Sequence, residues 1–103
     1  MSAELKGAVL SLRDSLKELA GRCTDEGLAV RATRARIRAN ELSKEIVARE
    51  AAGTMPAVAA ALVRRLLAAS GEVSGADEAH EVKPALGSAG DALADCETLL
   101  SGA

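Results

Sequence analysis

EAAGTMPAVAAAL, residues 50–62, decides the fold. Its flanks are rich in helix formers, but Gly53 and Pro56 are not. If Thr54 caps a new helix at Met55, the chain holds four helical segments. If one helix crosses Pro56, it holds three, the second kinked. A proline inside a helix removes a backbone hydrogen bond and costs about 3 kcal/mol. Pattern alone leans to the break, because Gly53-Thr54 followed by Pro makes a good stop and start.

Upstream, Leu5, Val9, Leu12, Leu16, Leu19 and Cys23 recur at alternating steps of four and three, the seam of a helix packed on partners. The same phase reaches Val30 and Ile37, and a glycine inside a helix costs only about 1 kcal/mol. One helix over about residues 3–37 is therefore expected, although Thr24-Asp25-Glu26 could cap a fresh one. Asn40 is the best turn residue before the next helix, expected over about 41–70. Leu42, Ile46, Met55, Ala59, Leu62, Leu66 and Ala69 line it, and Ser70-Gly71 ends it. Ser74-Gly75-Ala76-Asp77 reads as a capping box. Val82, Leu86, Ala89, Leu93, Cys96 and Leu100 then make a last helix. Pro84 suits only a first turn, so its packed part is expected over about 84–101, with 76–83 helical or loose.

The composition agrees with an all-α fold. Alanine occurs 23 times and no Phe, Tyr or Trp is present, which disfavours strands and suits close helix packing. A chain of 103 residues is expected to form one domain over 1–103, too small for a deep catalytic cleft. No apolar run nears the roughly 18–20 residues that span a bilayer. MSAELKGAVL, residues 1–10, lacks the basic-then-apolar form of a secretion signal. Two cysteines make no disulfide framework, so a reducing, cytoplasmic setting is expected. Net charge is −2 but uneven: residues 1–65 hold 12 Lys and Arg against 8 acids, whereas residues 66–103 hold Lys83 against 7 acids.

ELSKEIVAREAAGTMP, residues 41–56, resembles the tubulin-binding cofactor A family. There the second helix opens with an acid, an aliphatic residue and a basic-polar run, and a proline follows fourteen residues after the aliphatic one. Leu42, Lys44 and Pro56 stand at that spacing. LKGAVLSLRDSLKEL, residues 5–19, is similar to the family's first helix, with Gly7 and the Leu12, Leu16 and Leu19 stripe in register. ALADCETLL, residues 92–100, resembles its closing helix in type only. The chain departs from the family in lacking aromatics, in a lower Lys and Glu density, and in the breakers Gly53 and Pro84. The resemblance implies an elongated, up-down-up three-helix bundle whose second helix kinks at Pro56. It also implies a cytoplasmic, cytoskeleton-associated tubulin-folding cofactor. Such a protein captures β-tubulin released from the chaperonin and holds it for αβ-heterodimer assembly, as a monomer and without turnover chemistry.

No catalytic, cofactor or metal constellation stands out. His80 has no second histidine to work with, so it reads as a solvated side chain. Cys23 and Cys96 sit on seams as small buried hydrophobes. Arg31, Arg34, Arg36 and Arg38 form the densest charge cluster, and Arg31, Arg34 and Arg38 share a helical face at i, i+3 and i+7. Nucleic-acid binding is disfavoured by net acidity and by the lack of stacking aromatics. Two readings remain open: docking to an acidic protein surface, or a solvated face whose arginines pair with acids of the last helix. Arg31, Arg34, Arg38, Lys44 and Arg49 are the candidate partner-binding residues, and Arg31, Arg34 and Arg38 are expected to face away from a Val30 and Ile37 seam. The competing function is a helical interaction module, a dimeric hairpin or secretion-partner type that homodimerises through its seams, unrelated to tubulin.

Overall fold

The structure, a computed structural model, describes residues 2–102. It is all helical, with four helices among the described residues: α1 (Ser2–Arg22), α2 (Glu26–Ala52), α3 (Ala60–Gly75) and α4 (Ala79–Ser101). The three-helix bundle is therefore corrected to four helices, and each change has a local cause.

The expected helix over 3–37 breaks at Cys23, Thr24 and Asp25. Asp25 leaves helical geometry at φ −83° and ψ 117°, and its carboxylate accepts the Leu28 N–H at 3.0 Å. A capped start of this kind stabilises by about 1 kcal/mol. Gly21 and Gly27 both stay inside helices, so the capped start at Asp25, not avoidance of glycine, marks the break. Asn40 makes no turn: α2 passes straight through it, and the Asn40 side chain accepts instead from Arg13 of α1.

The kink expected at Pro56 is replaced by a stop. Gly53 adopts φ +70°, ψ 21°, the left-handed conformation that glycine takes without a Cβ penalty. The Gly53 N–H donates to the Glu50 carbonyl and the Thr54 N–H to that of Arg49. These paired bonds close the helix as a Schellman turn. Pro56 lies in a non-helical link over 53–59. The helix expected over 41–70 is thus the end of α2, this link and most of α3. α3 runs past Ser70-Gly71 to Gly75.

The last helix starts at Ala79, between the two starts considered. Its capping box is Glu78 with Glu81, not Ser74 with Asp77. The Glu81 carboxylate accepts the N–H groups of Glu78 and Asp77, which hold it below the usual carboxylate range. That box lets α4 begin five residues before Pro84, which then lies inside the helix.

α1 packs on α2 and α3, and α4 packs on α3 and α2, so α2 stands diagonally across from α3. The link 53–59 crosses that diagonal. Short three-residue links make α1–α2 and α3–α4 antiparallel hairpins. The hairpins dock side by side, with α1 parallel to α3 and α2 parallel to α4. Ser11 meets Ser70, and Ser15 meets Ser70 and Ser74, at 2.8–3.0 Å, so register rises together along α1 and α3. Arg22, at the end of α1, reaches the end of α3 and donates to the carbonyls of Val73, Ser74 and Ala76. The bundle measures 42 × 21 × 19 Å. One continuous core runs through all four helices. It contains the Leu5–Leu19 stripe, then Leu28, Ala32, Ala39, Leu42 and Ile46 of α2, Leu62 and Leu66 of α3, and Val82, Leu93, Cys96 and Leu100 of α4.

Candidate functional site: the exposed face of α2

Moving the start of α2 to Glu26 resets the phase of the helix. The buried stripe becomes Leu28, Ala32, Ala39, Leu42 and Ile46, four or seven residues apart or nearly so. Val30 and Ile37 then point outward at 48% and 45% exposure. They were expected inside, and their exposure is a correction. They form an apolar crest at i and i+7 on the outer face of α2, beside the arginines rather than opposite them.

The candidate residues separate. Arg31 and Arg34 are exposed, and neither has an ion-pair partner among the described residues. Arg38 is half-buried and donates from Nε to Glu97 of α4, so for this one arginine the pairing with the last helix is real. That hydrogen bond holds the Glu97 carboxyl below its ordinary range. Lys44 is exposed nearly two turns beyond Arg38, on the outer face of α2. Arg49 turns back on its own helix end, lying 3.7 Å from Glu45 and donating to the Thr54 carbonyl. It projects from the same side of α2 as Arg31 but lies five turns further along, where its contacts belong to the α2 stop.

Two depressions flank the crest. Between α2 and α4 lies one of about 250 Å³, with Arg31, Arg34 and Arg38 on its rim and Ala35, Leu86 and Gly90 at its floor. Between α2 and α1 lies another, of about 230 Å³, lined by Arg13, Asp14, Lys17, Arg36 and Asn40. Arg13 there is held by Asp14 at 2.9 Å. A larger depression, about 440 Å³, lies elsewhere, where Ala3, Gly7 and Leu10 of α1 meet Val47 of α2. Among the described residues its charged lining is Lys6 and Glu50, one of each sign. The chemistry concentrates on the smaller pair, which together put six basic side chains around Ile37.

Sequence reasoning did not find the exposed crest or the Arg13–Lys17–Arg36 side, and it offered acids of the last helix as arginine partners without singling out Glu97. Asp25 carried the signal for the first, since a cap there fixes Leu28 as the first inward position. The other titratable groups gather no site. His80 is exposed and lies 3.4 Å from Glu78. Cys23 is half-buried beside the Asp25 carbonyl, and Cys96 is buried in α4, where burial pushes its thiol up to about 11. Among the described residues no three His, Cys, Asp or Glu side chains are placed to hold a metal ion. No helix among them is long and apolar enough to cross a membrane. No protein-family profile, curated protein or solved structure matches this chain.

Proposed function

We propose that this protein is a non-catalytic docking module that presents the outer face of α2 to an acidic protein surface. The observation that carries this reading is the exposed Val30–Ile37 crest with Arg31 and Arg34 unpaired beside it. Exposed apolar side chains next to uncompensated charge match the make-up of a protein interface, where apolar anchors hold and charges steer. A helix laid along the crest, with acids on its flanks, would engage both depressions. Self-pairing through the same face is disfavoured. A two-fold dimer sets like patches against each other, which would oppose Arg31 and Arg34 to their own copies.

The resemblance of residues 5–19 and 41–56 to tubulin-binding cofactor A makes β-tubulin, held for αβ-heterodimer assembly, the named candidate partner. Tubulin is strongly acidic, which suits this face. The kinked three-helix bundle that the resemblance implies is not the observed fold, so the tubulin assignment rests on those stretches and on charge.

The test uses purified αβ-tubulin and a synthetic acidic amphipathic helix as separate probes, with association followed by biolayer interferometry. The double variant Arg31→Glu, Arg34→Glu is expected to lower the association rate by about tenfold or more at low salt. That difference should shrink at 1 M salt, where the Debye length is about 3 Å. Binding of the helix without tubulin would remove the tubulin assignment and leave the docking module. Wild-type protein that binds neither probe would overturn the proposal.

A further inference from the structure

Resting on the docking reading, we infer that the depression between α2 and α4 takes the phosphoryl group of a phosphorylated serine or threonine on the partner protein. Charge count points there first. Three guanidiniums line the depression, and among the described residues the only carboxylate paired with any of them is Glu97. Two positive charges remain. A partner carboxylate would neutralise one of them. A phosphomonoester carries about −1.5 to −2 at pH 7 and would neutralise both.

Geometry agrees. Arg31, Arg34 and Arg38 follow one another at i, i+3 and i+7, a span of about 10 Å at 1.5 Å per residue. Glu97 engages Arg38 through Nε, which fixes that guanidinium and leaves its terminal nitrogens for a second acceptor. Planar forks of this kind match phosphate oxygens better than lysine does. The volume, about 250 Å³, is several times the ≈ 30 Å³ share of one water, with room for a tetrahedral oxyanion and the carbon that bears it. At the floor Gly90 has no Cβ and Ala35 only a methyl, so a partner chain can approach closely, while Leu86 offers an apolar contact. A nucleic-acid phosphate fits less well. No Phe, Tyr or Trp is present in the chain to stack a base.

The experiment uses the full chain and three versions of the acidic amphipathic helix: unphosphorylated, with one phosphoserine, and with aspartate in its place. Affinities are read by fluorescence anisotropy, with inorganic phosphate as competitor. The phosphoserine helix is expected to bind at least about tenfold tighter than the other two. Arg34→Gln should abolish that preference. Gly90→Leu should abolish it as well, by filling the depression at unchanged charge. A Cβ at Gly90 meets nothing within 4 Å, so the fold should tolerate this change, and a thermal melt no lower than that of wild type checks it. Equal binding of the three helices would overturn the inference while the docking reading survives. A preference that persists in the folded Gly90→Leu variant would overturn it too. So would retention on phosphatidic acid vesicles without any preference for the phosphoserine helix.

Discussion

Replacing Gly53 by alanine changes stability with opposite sign in the two architectures that residues 50–62 allow. In the observed one, Gly53 sits at φ +70° and a Cβ built there meets nothing within 4 Å. No steric clash with neighbours enters, and the whole effect is conformational. Holding an L-residue in the left-handed region costs about 1–2 kcal/mol. Alanine also narrows the unfolded ensemble, which returns about 0.4–1 kcal/mol. The net expectation is a loss of roughly 0–1.6 kcal/mol, centred near 0.8, or a Tm lower by about 3–6 °C at that centre in a domain of this size. Gly53→Asn should lose less, because asparagine tolerates this region better. Were the helix continuous, Gly53→Ala would instead gain about 1 kcal/mol. Pro56→Ala, lying in the link, should change stability by no more than about 0.5 kcal/mol. Within a continuous helix it would gain about 3 kcal/mol. Circular-dichroism melts of wild type and the three variants decide. A rise in Tm for Gly53→Ala refutes the left-handed stop.

Two further changes test how the bundle is held. Arg22→Met removes the clamp on the end of α3. One guanidinium nitrogen serves the Val73, Ser74 and Ala76 carbonyls but has only two hydrogens, so about two charge-assisted bonds are lost, each worth about 1.5 kcal/mol at the lower end that a one-third exposed side chain warrants. A urea midpoint equal to wild type would show that water replaces the clamp at no cost. Cys96 gives an alkaline limit: its thiol is raised from 9.0 to about 11 by burial, then by Glu45 and Glu97. The unfolded chain loses this proton first, so stability is whole below pH 9 and falls as pH rises towards 11. A gap of two units is worth about 2–3 kcal/mol. Cys96→Ala should flatten the stability profile in that window relative to wild type, and parallel profiles would refute the assignment.

Most of the core was legible as spacing. Leu5 to Leu19 and Val82 to Leu100 repeat at four and three, and all of those positions are buried. Legibility failed where alanine carries the inward stripe. Ala32 and Ala39 fill the core of α2 but weigh little in a hydrophobic pattern, whereas Val30 and Ile37 weigh heavily and lie outside. Their phase happened to continue that of α1, which made two helices read as one. Local turn chemistry read the stop at Gly53 rightly but set the next start at Met55 behind a Thr54 cap, five residues before α3 begins at Ala60, and the family resemblance then favoured the kink. For the site, the i, i+3, i+7 spacing did bring Arg31, Arg34 and Arg38 to one depression. Their neighbours Leu86, Gly90 and Glu97 come from α4, some 50–60 residues away, and no local pattern reports such a contact.

The diagonal link separates two kinds of contact by their distance along the chain. Each hairpin closes through pairs such as Arg13 with Asn40 or Arg65 with Asp95, about 30 residues apart. The hairpins meet each other only through pairs such as Ser11 with Ser70 and Arg38 with Glu97, 59 apart. Hairpins can therefore form as local units before they dock, with the loop-closure entropy of docking met in one late step. Because that entropy grows only with the logarithm of loop length, doubling the link would cost only about 0.6 kcal/mol. The length of 53–59 is thus loosely constrained, and the pairing of the two hairpins is held by the serine contacts and the Arg22 clamp at the seam they share.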